Sequence, residues 1–388
     1  MKRKRVMSAC IVCSLVLAGT ARAVESGGIS VVTGLRTVAP FEVVPEGETK
    51  GVEQILGVQA QIQKQLQAKK PGARGQHPKA HGCAKGVFQV RGDIPSELRV
   101  GVFKEAREYD VLIRYSNGRE FDDRKPESSH GMAIKLLGVE GEKVMPGEED
   151  SQTQDFLLVD SPTFFSRDPE SLGKFMVALM RAVGAAVKAG KDPEEARDIF
   201  FETDADEYPE IPILVERMQR AGIANPLWAT YHSATPYLLG NEKEKFMVRY
   251  KAVPTGAPER SYPVDKPNGL AEAMANQLGK SKRSAAFEFR IVRYQGDRAG
   301  AAEDPTREWD SSEEVAVADL NIPPQDVALQ SCEELSFTPW HTLAEHQPMG
   351  GINRARFPVY LESVKMRGAS PSSEPTAFGA TSISDSDS

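Results

Sequence analysis

Four apolar runs follow one another between residues 85 and 160 with no helical pattern among them. This feature narrows the possible folds most. The runs are KGVFQVRG, YDVLIRYSNG, HGMAIKLLG and TQDFLLVD. Each is rich in Val, Ile, Leu, Phe or Tyr and is closed off by Gly, Asp, Asn or Pro, the punctuation of strands. An acidic loop, GVEGEKVMPGEEDSQ, separates the last two. Strand patterns return later as EKFMVRYKAV, AAFEFRIVRYQ and EEVAVADLNI. Strands grouped in this way, instead of alternating with helices, predict an antiparallel sheet or barrel.

Helical patterns flank and interrupt the strands. GVEQILGVQAQIQKQLQAKK repeats apolar residues at helical spacing and stops at Pro71-Gly72. DPESLGKFMVALMRAVGAAVKAG opens on Asp168 as an N-cap with Pro169 at the first helical position, and DPEEARDIFF repeats that start. The expected class is α+β, an antiparallel β-barrel with inserted and C-terminal helices. We read residues 24–368 as one contiguous domain: an arm and helix over 24–73, a barrel with helices over 74–336, and a last helical region over 337–368. Residues 369–388 are low in apolar residues and predict a disordered tail.

The first 23 residues have a basic start, an apolar middle and a small-x-small end at Ala21-Arg22-Ala23, the pattern of a cleaved secretory leader. Export is therefore expected, in a bacterium to the periplasm. Loss of the leader removes five basic residues and moves the net charge from −7 to −12. Such an acidic chain is a poor partner for nucleic acid. No later stretch has the length of uncharged apolar sequence that a membrane helix needs. Beyond the leader only Cys83 and Cys332 remain; they leave one disulfide open and exclude a disulfide scaffold.

The chemistry-bearing residues cluster near two places. INRARFPVYLESVKMR sets Tyr360 four residues after Arg356 and seven before Arg367, spacings that return to nearly one helix face. Such a stripe is either solvated surface or a phenolate held between cations. ARGQHPKAHGCAKGVFQV places Arg74 three residues before His77, with His81 four further on. The Pro and Gly around the two histidines argue against a helical metal pair. His341 and His346, five apart, fall on different faces of a helix. Hydrolase-elbow, nucleotide-binding and EF-hand patterns are absent.

In order along the chain, the motifs resemble the haem-dependent catalase family, in particular its shorter catalase-related branch. RGQHPK resembles the family's Arg-x-x-His-Ala-Lys, LIRYSNG its VRFS strand, and HGMAIKLLGVEG its RGFAVKF strand. DFLLVDSPTFFSRDP resembles DLVGNNTPIFFIRDP, and RFPVY fits the Arg-x-x-x-Tyr of the haem-ligating helix. The resemblance implies haem b, with its iron ligated by Tyr360 as a tyrosinate that Arg356 helps to keep ionised. It implies Arg74, Arg114 and Arg367 as propionate holders, and Phe165 in the cofactor pocket. His77 becomes the distal acid/base, with His81 its rival in register, and Ser116 the hydroxyl that orients it. An ordinary imidazole, with pKa about 6.5, both accepts and donates a proton at neutral pH. The implied activity is a haem peroxidase or catalase acting on hydrogen peroxide or organic hydroperoxides with an electron donor. The alternatives are a lipid-hydroperoxide-rearranging enzyme and a haem-binding protein without efficient turnover. Self-association into a homo-oligomer stays open.

The sequence departs from the family at the distal asparagine. Ungapped alignment puts Val159 there, and a one-residue shift puts Asp160 there. Valine removes a hydrogen-bond donor, and an ionised aspartate only accepts. Leu172 stands where the family usually stacks an aromatic ring. Pro358 is expected in the first turn of its helix, with Arg356 just before it.

Overall fold

The structure is a computed structural model that describes residues 42–119, 121–125, 129–191, 222–240, 244–256, 264–296, 298–309, 312–327 and 330–369. The expected leader, the helix at DPEEARDIFF, most of the N-terminal arm and the expected tail beyond residue 369 lie outside the described residues.

The expected strands form. They are β1 (Ala80–Val90), β2 (Glu108–Asn117), β3 (His130–Leu137), β4 (Thr153–Val159), β7 (Lys245–Pro254), β8 (Ala285–Tyr294) and β9 (Ser312–Ile322). Three short strands join them: β5 (Tyr231–His232), β6 (Tyr237–Gly240) and β10 (His346–Pro348). Every pairing is antiparallel. The order β7-β5-β4-β3-β2-β1-β9-β8 closes on itself through β7–β8, giving an eight-stranded barrel with β6 and β10 added at its side.

Alternation sets the two faces. Val111, Ile113 and Tyr115 of β2, Met132, Ile134 and Leu136 of β3, and Phe156 and Leu158 of β4 point into the barrel. The rings of Phe88, Phe103, Phe156, Tyr250 and Phe289 meet there at centroid distances of 4.8–6.5 Å. Beyond the exposed Glu108 and Asp110 at the start of β2, most outward residues of β2–β4 are covered by helices and the C-terminal segment. Lys135 and Asp155, directly paired across β3–β4, are fully buried on this outer face. Asp155 accepts from Lys135 Nζ (2.6 Å), His341 Nδ1 (3.0 Å) and the Thr338 amide (3.0 Å), and His341 Nε2 meets Glu148 at 2.7 Å.

Among the described residues, three long helices pack outside the barrel: α1 (Glu48–Lys69), α2 (Pro169–Lys188) and a C-terminal helix. The Asp168 carboxylate caps α2 by accepting from the Ser171 amide at 2.7 Å, with Pro169 at the helix start as expected. A Cβ on Gly51 would fall 2.4 Å from the Pro169 backbone, and one on Gly173 would fall 2.6 Å from the Gly51 carbonyl, so α1 and α2 approach closely at these two glycines. A short helix, α3 (Gly269–Ala275), precedes β8. The C-terminal helix, α4, spans Gly351–Arg367, so Pro358 lies in its interior and not in its first turn. Arg356 is correspondingly inside the helix, one turn before Tyr360. The turn around Pro358 gives up one backbone hydrogen bond, and packing holds α4: Arg354 is buried with Glu48, Glu303 and Glu42.

Four of the six histidines are held neutral, chiefly by burial: His77 and His346 pushed down to about 3, His81 and His232 to about 4. Each gains its proton more easily after unfolding, so its stabilising contribution is full above the ordinary pKa near 6.5 and drains away as pH falls. Burial also works against the charge on His341, but Asp155 and Glu148 outweigh it and raise its pKa; its contribution is present in acid and fades as pH rises through that raised value. Urea titrations between pH 6.5 and 5, above the carboxylate range, should lose stability with acidification. The slope is about 1.4 kcal/mol per pH unit for each proton taken up on unfolding. A midpoint independent of pH across this window would contradict the buried neutral state of these side chains.

Candidate functional site

The site lies on the outer face of β1–β4, under α4. His77 precedes β1 and takes φ 52°, the left-handed region that a non-glycine residue enters at a cost of about 1–2 kcal/mol. Both of its backbone groups are tied there: its amide donates to the Gly118 carbonyl (3.0 Å) and its carbonyl accepts from Arg114 Nη2 (2.9 Å). Its Nδ1 shares a hydrogen bond with Ser116 Oγ at 3.0 Å. A Cβ on Gly131 would sit 2.7 Å from that Nδ1 and 2.8 Å from Ser116 Oγ, so the imidazole rests where β3 lacks a side chain. Burial, then Arg114, Arg356 and His130, hold His77 at about 3. The expected pKa near neutrality is thus corrected: the imidazole stands as a neutral acceptor.

His81 does not compete for this place. Its Nε2–H donates to Asn117 Oδ1 at 2.8 Å, and Asn117 continues to Asp123, which also binds Lys79. Among the described residues no group of three or more His, Cys, Asp or Glu side chains is arranged to hold a bare metal ion.

The register of β2, β3 and β4 separates the two candidates for the distal asparagine position. Ser116 pairs with Gly131 and Gly131 with Val159, so these three share the outer face beside His77. Asp160 belongs to the next row and pairs with His130: its carboxylate accepts from the His130 amide (2.7 Å) and from Nδ1–H (2.6 Å). The structure therefore gives the His77 face a valine and ties Asp160 to His130.

Across from the sheet, Arg356 Nη2 donates to Tyr360 Oη at 3.2 Å. Thr235 Oγ1 (3.2 Å) and Asn353 Oδ1 (3.1 Å) steady its other amino group. Burial opposes the charge on Arg356, but Tyr360 and Tyr237 outweigh it and its pKa is raised. Phe165 stacks on Phe164 at 4.5 Å beside the cluster joining α1, α2 and α4, where Leu172 is also buried.

Arg74, Arg114 and Arg367 form a positive cradle. Arg74 donates to the carbonyls of Cys332 (3.0 Å), Glu333 (3.3 Å) and Leu335 (2.8 Å), and Arg367 to those of Glu333 (3.1 Å) and Leu335 (3.4 Å). Arg114 Nε meets the Glu333 carboxylate at 2.6 Å. Burial, then Arg114 and Arg367, push Arg74 well below its ordinary value, and burial and Arg114 lower Arg367. Burial alone would raise Glu333, yet Arg114 and then Arg74 hold it below the usual carboxylate range. The Nε–H groups of Arg74 and Arg367 are buried without acceptors. Such a cradle suits a ligand that brings further carboxylates.

His77 and Arg356 are enclosed by protein yet keep accessible surface, as do Tyr360, Val359, Ala133, Leu157 and Val159. Their accessible parts bring apolar surface, a phenol backed by a guanidinium, an imidazole and the arginine N–H groups into one region. This donor set fits a flat, largely apolar cofactor with acidic substituents and a metal that accepts an oxygen ligand. Sequence reasoning missed Glu333 and His130. Glu333 has no motif around it, and His130 takes a position where the family strand carries arginine.

Three solved structures similar to this chain are catalases. A fungal catalase matches with TM-score 0.61 and 16% identity, covering 80% of this chain and 62% of that one. Catalase A from Saccharomyces cerevisiae matches with TM-score 0.57 and 16% identity, covering 79% and 63%. A bacterial catalase matches with TM-score 0.60 and 14% identity, covering 94% and 70%. The chain thus spans about three fifths of the length of the first two. No protein-family profile matches the sequence, and no curated protein does. At these identities the likeness establishes the fold, a catalase-like antiparallel barrel with helices.

Gly131→Ala should push the imidazole off Ser116 and cost about 1–3 kcal/mol through overpacking. Proton NMR of the His77 ring should show its environment change. An unaltered His77 resonance in a folded Gly131→Ala protein would contradict the close contact.

Proposed function

We propose that this chain is a haem-dependent peroxidase or catalase-like enzyme that reduces hydrogen peroxide or organic hydroperoxides. The observation that carries the reading is the Arg356–Tyr360 pair, with Arg356 close enough to His77 to act on its charge and the buried Nε–H groups of Arg74 and Arg367 without acceptors in the neighbouring cradle. Tyr360 would ligate the iron, Arg356 would favour the phenolate, and Arg74, Arg114 and Arg367 would receive the propionates. When bound, haem supplies the redox chemistry that accepts electrons from a donor and passes them to the peroxide.

The chain's own residues manage the proton. Ser116 fixes Nδ1 of His77, leaving Nε2 to take the proton of the incoming hydroperoxide and hand it to the departing oxygen. A group pushed down to about 3 holds that proton weakly, so its return to the departing oxygen is favoured while the first transfer to Nε2 is disfavoured. Val159 beside His77 offers no hydrogen bond to a small polar peroxide. This favours a peroxidase, or a rearrangement of bulkier hydroperoxides, over rapid disproportionation of hydrogen peroxide. We also propose export to an oxidising compartment, which the Cys83–Cys332 disulfide supports.

The purified chain loaded with haem should show a Soret band that Tyr360→Phe alters. His77→Ala should keep the band but slow peroxide consumption about 10²–10⁴-fold, the usual worth of a general acid–base group. With His77 at about 3, consumption should show no inflection near pH 6.5. No Soret band with haem in excess would overturn the proposal.

A further inference from the structure

We propose that the Cys83–Cys332 disulfide is the positioning bond of the arginine cradle, so that cofactor retention depends on its being oxidised. The inference rests on the haem reading of the same site. In the β1–β2 ladder Cys83 stands directly opposite Arg114, and Arg114 stands opposite Ala133 in β3. The bond therefore grips the sheet at the row from which Arg114 reaches the cradle. At its other end Cys332 belongs to the helical turn Gln330–Glu333, which takes no part in the sheet. Residues 332–335 supply the carbonyls that receive Arg74 and Arg367 and the carboxylate that receives Arg114. Cys332 is itself one of these acceptors. One short segment thus spaces all three guanidinium groups, and one covalent bond fixes that segment against the sheet.

The sulfur atoms bridge a sequence separation of 249 residues, with the Cα atoms 5.6 Å apart. Beyond the bond, the Arg114–Glu333 ion pair is the segment's other tie to β2; the segment also leans on a small apolar cluster of Leu335, Phe337 and Leu112, and further on the Thr338 amide donates to Asp155. Reduction by a dithiol transfers two electrons and two protons, converts the bridge to two thiols and leaves the reductant as its own disulfide. The carbonyls of residues 332–335 then lose their covalent hold, and the spacing of the three arginines relaxes.

The test compares oxidised wild type, dithiol-reduced wild type and Cys83→Ala/Cys332→Ala, each loaded with haem. The readout is the rate of Soret loss to an excess of haem-scavenging protein. Leu320→Ala, in the barrel core away from the cradle, controls for general destabilisation. We expect haem loss to accelerate at least tenfold in both disulfide-free forms and to stay near wild type in Leu320→Ala. Equal rates with and without the bond, or equal acceleration in Leu320→Ala, would overturn the inference. Hydrogen exchange on cofactor-free protein gives an independent reading, with faster exchange of amides 332–335 expected once the bond is gone. Unchanged exchange there would also overturn it. Failure of oxidised wild type to show any Soret band would instead sink the haem reading, while the exchange result still decides whether the bond holds the segment.

Discussion

Everything at the site depends on holding α4 at a fixed distance from the outer wall of the barrel. The phenol of Tyr360 and the imidazole of His77 belong to elements that are not hydrogen-bonded neighbours, so their separation is set by other contacts. The Lys135–Asp155–His341 network fixes the segment leading into α4 to β3 and β4, and Arg354 with its glutamates fixes the start of α4 to α1. Buried ion pairs are poor sources of net stability, because desolvation offsets attraction. Their geometry is nevertheless unforgiving: an unpaired Asp155 in that position costs about 3–5 kcal/mol. Such a network specifies one docking of α4 where apolar packing alone would tolerate several.

The same reasoning explains how the sheet serves two masters. Its inner face is filled by rings and aliphatic chains, while its outer face carries arginine, serine, lysine and aspartate under cover. Strands buried on both sides lose the clean polar alternation of a half-exposed sheet, and β2 is buried along nearly its whole length. Polar residues survive on the outer face because each has a partner there.

This double burial also governs how much was legible in the sequence. The long strands, the α2 cap and the Arg356–Tyr360 spacing could be read directly, because they express local rules. The two-residue β5 and three-residue β10 could not, since such short pieces are strands only by virtue of their partners. Pro358 suggested a helix start by local preference, but tertiary contacts carry α4 through it. Asp160 and Val159 could not be ranked from sequence, because one residue of register exchanges the two faces of a strand. Glu333 joins the site from the end opposite to Arg74, and no spacing rule links residues so far apart.

The closure of the barrel has a consequence for the order of assembly. β1 pairs with β9 more than two hundred residues later, and the cradle joins Arg74 to acceptors near residue 335. Contacts of such range are slow to form, because the chain loses much freedom before they reward it. A chain emerging from its N-terminus can build β1–β4 early, as a sheet with two open edges. Neither the barrel nor the site can exist until the last strands and α4 have been delivered. Any cofactor must therefore meet an almost complete polypeptide, and the unfinished sheet is the species in need of protection from aggregation.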